Sequence, residues 1–342
     1  MTGSLWRISG SFFIKKGSGA VVKMEQKKEA GAVSSGMVIE VTGSTYMVLT
    51  DGGEEFRCRT FPGTKTENDF SSLVAVGDRV VLKETETGTE LFEAVITLVE
   101  RRRSALTRKR DLRRNRSKEK VQVIAANIDQ LVVVVSAFEP PLSTRLIDRY
   151  LVFAESEQLK TVIVVNKMDL DDSPETRELM KPYHALNYRI LYTSAEDKSG
   201  MRALRKVLAG KLSAFSGHSG VGKSTLINEL FGSERLRTGE TNWKTGKGLH
   251  TTSSSIMLPL PRGGYIIDTP GIREFNLSGI TRENLRFYFR EFLLFMQDCA
   301  YSSCSHTVEP ECGILKAVES GRIDPERYES YLAIYESIDR DG

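Results

Sequence analysis

Gly217-His218-Ser219-Gly220-Val221-Gly222-Lys223-Ser224 is the stretch that decides the fold. It follows the strand-like segment Leu212-Ser213-Ala214-Phe215-Ser216 and opens the helix-like segment Thr225-Leu226-Ile227-Asn228-Glu229-Leu230-Phe231. A strand, a glycine-rich turn and a helix in that order make a phosphate-binding P-loop. The glycines let the backbone bend until its N–H groups face phosphate oxygens, and the helix N-terminus adds a favourable field for the anion. The expected cradle runs from Gly217 to Thr225, with His218 at a variable position. Lys223 supplies a point charge to the β- and γ-phosphates, and the Ser224 hydroxyl is a magnesium ligand.

Working outward, three further motifs belong to the same chemistry. Downstream, Asp268-Thr269-Pro270-Gly271 ends an apolar run, where Asp268 would hold Mg2+ through water and the Gly271 N–H would face the γ-phosphate. Upstream, Asn166-Lys167-Met168-Asp169 also ends an apolar run, and Thr193-Ser194-Ala195-Glu196 follows it. The Asp169 carboxylate can accept both N1–H and N2–H2 of guanine. Adenine offers neither donor, so an unpaired carboxylate would cost about 1–3 kcal/mol, which favours GTP over ATP. Asn166 would brace the pocket and Lys167 would cover the base, Met168 belongs to the same guanine-binding turn, and Ser194 and Ala195 are its companions at the base. Small GTPases place both base-reading motifs after the P-loop. Here they precede it, so the set is complete and its order is rotated: a circularly permuted P-loop GTPase.

Between the P-loop and Asp268, the Gly-, Thr- and Lys-rich stretch 238–249 reads as a switch loop, and Gly248-Leu249-His250-Thr251-Thr252 closes it. Thr251 or Thr252 would complete the magnesium shell; the sequence does not choose between them. Ile272 stands where small GTPases carry a glutamine that orients the attacking water. Isoleucine has no donor or acceptor, so His250 is the candidate catalytic group, with a structural or RNA contact as its alternative.

The surrounding pattern supports an α/β sheet. Leu131-Val132-Val133-Val134-Val135 and Thr161-Val162-Ile163-Val164-Val165 are continuous β-branched runs, as expected for strands buried on both faces. Helical spacing separates them over 142–158, and the rhythm continues with a helix near 174–184, a strand at 190–192, a helix at 199–210 and strands at 254–260 and 265–267. Residues 34–100 differ. Five short strands, with an Asp51-Gly52 turn and Phe56 and Cys58 alternating with Arg57 and Arg59, predict a small antiparallel barrel; an OB-fold is expected, with an SH3-like barrel close behind. Residues 282–295 and 323–338 carry helical spacing. The expected domains are a disordered tail over 1–33, an OB-fold RNA-binding barrel over 34–100, a basic linker over 101–120, the permuted GTPase domain over 121–276 and a zinc-binding helical domain over 277–342.

Charge is unevenly spread. Residues 101–120 hold eleven Lys/Arg against Asp111 and Glu119, a net of +9 in a chain of net +3, so the remainder is net −6. So dense a run repels itself unless a polyanion neutralises it; RNA phosphate is the expected partner, and a solvated linker is the alternative. No apolar run reaches the roughly 20 residues of a membrane helix. Residues 1–33 are basic with no acid before Glu25, read as a disordered tail with an organellar targeting segment as the alternative. Of four cysteines, Cys58 stands alone as a small buried hydrophobe. Cys299, Cys304, His306 and Cys312, spaced C-x4-C-x-H-x5-C, make a closed tetrahedral set for one structural Zn2+. Because the P-loop sheet has its own apolar strands, nucleotide binding is expected to be independent of that metal.

Together these residues resemble the ribosome small-subunit-dependent GTPase A family over roughly 34–338. The resemblance rests on the barrel, Ala125-Ala126-Asn127-Ile128-Asp129-Gln130 entering the first sheet strand, the G-x-x-x-H-T-T switch, D-T-P-G-hydrophobic-R-E at 268–274, and the Cys/His cluster. It implies a monomeric cytoplasmic GTP hydrolase that binds the maturing small ribosomal subunit and 16S rRNA near the decoding region. It also implies that the subunit stimulates conversion of GTP to GDP and that the family's hydrolytic histidine is His250. The alternatives are a permuted GTPase acting on another ribosomal particle and a zinc-containing RNA-binding protein that keeps GTP as a structural ligand.

Overall fold

The structure is a computed structural model and describes residues 5–8, 11–15, 21–24, 32–68, 74–89, 92–109, 121–171, 173–232, 255–268, 277 and 279–338. The chain forms two compact units: Met1–Asp69 with Asp78–Arg101, and Phe70–Gly77 with Arg102–Gly342.

In the first unit, strands β1 (Leu5–Ile8), β2 (Ser11–Lys15) and β3 (Val21–Met24) pair antiparallel within the stretch expected to be a disordered tail. The barrel is built from β4 (Val33–Thr42), β5 (Thr45–Thr50), β6 (Glu55–Thr66), β7 (Arg79–Thr89) and β8 (Phe92–Val99). Neighbours run β4-β5-β6-β8-β7, and a β4–β7 pairing closes the ring. Every pair is antiparallel except β6–β8, which is parallel. This five-stranded ring is the OB-fold, and the parallel pair removes the SH3-like alternative. The period-2 pattern fills its interior: Tyr46, Val48, Phe56, Cys58, Leu82, Ala94 and Ile96 are buried, while Arg57 and Arg59 alternate outward. Burial, opposed by no counter-charge and aided by the nearby Glu93, pushes the Cys58 thiol up to about 12, so it behaves as an inert apolar group.

The second unit holds a six-stranded run of sheet: β13 (Arg189–Tyr192), β12 (Lys160–Asn166), β11 (Gln130–Ser136), β14 (Leu212–Ser216), β16 (Tyr265–Asp268) and β15 (Ser255–Pro259), adjacent in that order. All pairs are parallel except β15–β16. Counted from β14, this is the doubly wound order second-third-first-fourth-fifth-sixth, so the sheet is regular and only the chain's starting point is moved. β11 is buried at every position, as its β-branched run predicted. One face of it, Val132 and Val134, packs with Val162 and Val164 against Leu204, Leu208, Leu226, Ile227 and Leu230 of helices α4 (Met201–Leu208) and α5 (Lys223–Phe231). Helix α1 (Thr144–Ser156) contacts β11 and β12 without joining that cluster, so it covers the opposite face. The Ser143 hydroxyl caps α1 by accepting from the Leu146 N–H at 3.3 Å.

Ala125 to Gln130 form the hinge into this sheet. The Asn127 amide donates to the Gly77 carbonyl at 2.9 Å and its Oδ1 accepts from Arg103 N–H, while Asp129 accepts from Leu212 N–H at 2.8 Å. Gln130 Nε2 donates to Ser213 Oγ at 2.9 Å. Inside the stretch expected to be a linker, β9 (Ala105–Lys109) pairs antiparallel with β10 (Val121–Ala126); residues 110–120 of the basic run lie outside the described residues.

Three helix expectations change. The segment near 174–184 breaks at Met180 into α2 (Glu175–Leu179) and α3 (Lys181–Ala185), because Pro182 has no N–H to carry one helix through. Arg282–Phe295 is not α-helical. It forms 3-10 turns at Leu285–Tyr288 and Phe292–Leu294, because Phe289 is extended and turns its ring to lie 5.1 Å from Phe292 and 5.3 Å from Tyr331. A helix at Gly313–Glu319 appears that the spacing had not marked, and the last helix runs Pro325–Ser337, capped by Asp324.

The last helix meets α1 through a buried ion cluster. Arg327 donates to Asp148 at 2.5 Å from Nη1 and to both Glu291 oxygens at 2.7 and 2.9 Å. Asp148 also accepts from Tyr183 Oη at 2.7 Å. All three charged residues are at most 5% exposed. Truncating one partner of such a group strands the others in low dielectric. Arg327→Ala is expected to lower unfolding free energy by about 3–5 kcal/mol, measured by urea denaturation, whereas exposed Arg145→Ala, which breaks only its 3.4 Å contact to Glu329, should change it by under about 1 kcal/mol.

Candidate functional site

Three strand ends meet at the carboxyl edge of the sheet. β14 runs directly into Gly217, and Gly217, Gly220 and Gly222 have φ of 148°, 86° and 88°. A Cβ at Gly217 would stand 2.0 Å from the Val134 carbonyl, and one at Gly222 would stand 2.4 Å from Asn166 Nδ2. Only glycine therefore lets the loop curl this close to its neighbours. Val221 is buried beneath it, while Ser224 and Thr225 are exposed on the first turn of α5. Lys223 folds back over the loop, its Nζ donating to the Gly217 and His218 carbonyls at 2.6 and 2.7 Å. His218 is exposed, its Nδ1 3.0 Å from the Ser219 carbonyl. This is a concave run of backbone amides with one cation, suited to an anion at a helix N-terminus.

β12 ends at Asn166, which is 1% exposed. Its Nδ2 donates to the Val221 carbonyl at 3.0 Å, and its Oδ1 accepts from Thr193 Oγ1 at 3.2 Å. One side chain thus ties the end of β12 to the P-loop and to the end of β13. Lys167 takes a left-handed φ of 61°, and its Nζ donates to the Glu139 carbonyl. Met168 N–H donates to the Thr193 carbonyl at 3.1 Å, and Asp169 is exposed in the turn that follows. Ser194 is fully buried and its Oγ accepts from the N–H groups of Glu196 and Asp197 at 3.1 and 3.2 Å, which shapes the turn at Ala195.

Asp268 ends β16, where Ala214 pairs with Ile267, so its backbone lies at the same sheet edge as the P-loop. His250, Thr251, Thr252 and Gly271 lie outside the described residues, as does Ile272. The structure brings together the other expected nucleotide residues and adds a segment that the motifs did not mark. Loop 137–141, after β11, receives Lys167 at Glu139, donates from Ala137 N–H to the Asn166 carbonyl at 2.9 Å, and stands near enough to Gly220 that a Cβ there would meet Pro140 at 3.5 Å. Ser136 Oγ holds it by donating to the Pro140 carbonyl at 2.6 Å. Backbone contacts leave no signature in the residue letters; the Pro-Pro punctuation after an apolar strand was the available signal.

The second constellation is the Cys/His cluster. The ligand atoms of Cys299, Cys304, His306 and Cys312 all lie within 4.8 Å of one another. His306 Nδ1 is 3.6 Å from Cys299 Sγ and 3.5 Å from Cys312 Sγ, and the two sulfurs are 4.0 Å apart. Metal–sulfur bonds of about 2.3 Å and metal–nitrogen bonds of about 2.0–2.1 Å give tetrahedron edges of about 3.8 Å and about 3.5 Å, so this donor set fits one tetrahedral cation. Burial, reinforced by Arg286, lowers His306 to about 4, leaving a neutral imidazole able to ligate. Burial pushes Cys304 up to about 12, so thiolates there need a cation to exist at neutral pH.

The ligand loop is held by residues the spacing did not reveal. Glu309 accepts from the N–H groups of Ser305, Thr307 and Val308 at 2.5, 3.0 and 3.2 Å. Arg286 Nη1 donates to the Cys304 carbonyl at 2.9 Å, and Gly313 N–H donates to Cys299 Sγ at 3.3 Å. Tyr328 Oη donates to the His306 carbonyl at 2.8 Å and Tyr331 Oη to the Ser305 carbonyl at 2.6 Å.

A regular nucleotide-binding sheet read in rotated chain order, with both base-reading turns preceding the P-loop, defines a circularly permuted P-loop GTPase. Residues 101–278 match the family model described as RsgA GTPase, and the chain belongs to that family and is a GTP hydrolase. It is 63% identical over 305 residues to a protein of Chlorobaculum parvum named small ribosomal subunit biogenesis GTPase RsgA, covering 89% of this chain and 98% of that one. Among solved structures it is similar to YjeQ from Thermotoga maritima, with a TM-score of 0.69 and 33% identity over 90% of this chain and 99% of that one. It is also similar to YloQ, described as a circularly permuted GTPase, with a TM-score of 0.69 and 25% identity over 93% of this chain and 99% of that one.

Because Glu309 fixes three amides of the ligand loop, Glu309→Ala is expected to weaken metal binding by about 10–100-fold, measured by competition with a chromogenic chelator.

Proposed function

We propose that this chain hydrolyses GTP on the maturing small ribosomal subunit, in contact with 16S rRNA, as a monomer in the cytoplasm. The observation that carries the reading is the 63% identity, over 98% of its length, to the protein named for small-subunit biogenesis. Among the described residues no helix is long and apolar enough to cross a membrane. The open face of the OB barrel, with Arg57 and Arg59 outward, and the basic residues of 101–120 supply the chemistry for RNA phosphate.

In this reading GTP lies along the sheet edge. Gly217, His218, Ser219, Gly220, Val221, Gly222, Lys223, Ser224 and Thr225 surround the phosphates, and Gly271 faces the γ-phosphate. Asn166, Lys167, Met168 and Asp169, with Ser194 and Ala195, enclose guanine. Ser224, Asp268 and one of Thr251 and Thr252 would hold Mg2+, which supplies positive charge against the β- and γ-phosphates. Water attacks the γ-phosphorus, the bond to the β-phosphate oxygen breaks, and GDP and inorganic phosphate leave; His250 orients that water. Cys299, Cys304, His306 and Cys312 would hold one structural Zn2+.

Asp169→Asn replaces the acceptor of two guanine donors with an amide. Guanine nucleotide affinity is expected to fall tenfold or more, by roughly the 1–3 kcal/mol of an unpaired group, and xanthine nucleotide affinity to rise. Equal competition of ATP and GTP for the parent chain would remove the base assignment. For catalysis, parent and His250→Ala chains are compared with and without purified small subunits. The parent should hydrolyse GTP slowly alone and faster with the subunit. His250→Ala should bind nucleotide normally and turn over on the order of a hundredfold more slowly. Stimulation by large subunits alone would favour action on another particle, and no turnover in any arm would favour GTP as a structural ligand.

A further inference from the structure

The expectation from sequence was that nucleotide and metal sites act independently. The side-chain chain between them points the other way. On the metal side, Tyr328 and Tyr331 of the last helix hold the carbonyls of His306 and Ser305. Next to Tyr328 and one turn before Tyr331, Arg327 is the sole described cation inside the cluster of Asp148 and Glu291. Asp148 belongs to α1, and two residues further along α1 stands Tyr150, 3% exposed. Residues two apart on a helix project to opposite sides. Accordingly, while Asp148 faces the last helix, the Tyr150 hydroxyl is hydrogen-bonded to the Ser216 side chain and the Gly217 backbone, where β14 becomes the P-loop. Gly217 has no freedom to drift, since it lies against the Val134 carbonyl.

We propose that α1 couples the Cys/His cluster to the P-loop, so that guanine nucleotide and the metal bind cooperatively. The proposal rests on the cluster being a metal site. The two-state element is the last helix with the ligand loop. With a cation bound, the thiolates and His306 fix loop 299–312, the tyrosines keep their carbonyl partners, and Arg327 stays opposite Asp148. Without it, four donors crowd within 4.8 Å with no charge to hold them. Loosening the loop frees the first turn of the helix. Arg327 then leaves two buried carboxylates uncompensated, and α1 must shift to rehydrate Asp148. That shift moves Tyr150 away from Gly217 and loosens the phosphate cradle. In the other direction, a nucleotide that fixes the P-loop fixes α1 and favours the metal-bound arrangement. Reciprocity is required thermodynamically: each ligand must change the other's affinity by the same factor.

The test uses the full chain with magnesium in excess. GDP affinity is measured on zinc-loaded protein and on protein stripped by a zinc-selective chelator, with far-UV circular dichroism confirming that the stripped chain remains folded. Zinc affinity is measured by chelator competition with and without GDP; this arm starts from loaded protein and needs no stripped material. Removing zinc should weaken GDP binding about fivefold or more, and omitting GDP should weaken zinc binding by the same factor. Tyr150→Phe, which deletes only the hydroxyl, should bring both factors towards one while leaving zinc stoichiometry intact. Equal GDP affinity of loaded and stripped chains, or equal zinc affinity with and without GDP, overturns the coupling. Undiminished coupling in Tyr150→Phe overturns the route through α1. A chain that holds no zinc under any condition removes the metal reading itself, and the coupling with it.

Discussion

The hydrogen bond from Asn166 Nδ2 to the Val221 carbonyl, 3.0 Å long and fully enclosed, is where the two halves of a rotated chain are locked together. Asn166 ends a strand from the first half of the GTPase unit, and Val221 lies in a loop from the second. The bond works only because Gly222 has no Cβ, since one would stand 2.4 Å from the same amide nitrogen. Thr193 orients the asparagine from a third strand end at 3.2 Å. A sheet is held by lateral hydrogen bonds between strands, so it does not depend on which strand the chain reaches first. What cannot change is the set of strand ends that share one edge. That constraint explains how the P-loop, the turns after Asn166 and Thr193, and the strand end at Asp268 still share one sheet edge although their chain order is rotated.

The second dependence is electrostatic. Arg327 stands between Asp148 and Glu291 with almost no solvent, an arrangement that gains little over an apolar core but is costly to break. Burial alone raises the Asp148 pKa, and Arg327, Ser330 and Tyr183 oppose that effect by favouring the charged form. The cluster therefore specifies a relative position more than it adds stability. It fixes α1 against the last helix, as does the aromatic stack of Phe289, Phe292 and Tyr331 beside it.

What the sequence revealed follows from distance along the chain. The P-loop, the turn at Asn166 and the Cys/His cluster are each written in fewer than fifteen consecutive residues, and each was legible. The barrel was legible as five short strands, but its type depended on the parallel pairing of β6 with β8, which no alternation pattern encodes. The stretch 282–295 misled because Leu285, Phe289 and Phe292 keep helical spacing while serving a core reached through 3-10 turns. Arg327 and Asp148 are 179 positions apart, and nothing local marks either as a partner of the other. The Glu139 carbonyl that receives Lys167 was hidden for a different reason, because every residue type presents the same carbonyl.

Rotation of the chain has a consequence for the C-terminal module. In an unrotated GTPase the motif that faces the γ-phosphate leads back into the sheet. Here Asp268 leads, through residues 269–276, towards the region that carries the Cys/His cluster. That region is thus tied to the nucleotide site twice: covalently through the segment after Asp268, and laterally through α1 and Arg327. Two attachments constrain a module more than either does alone, since displacement that relaxes one strains the other.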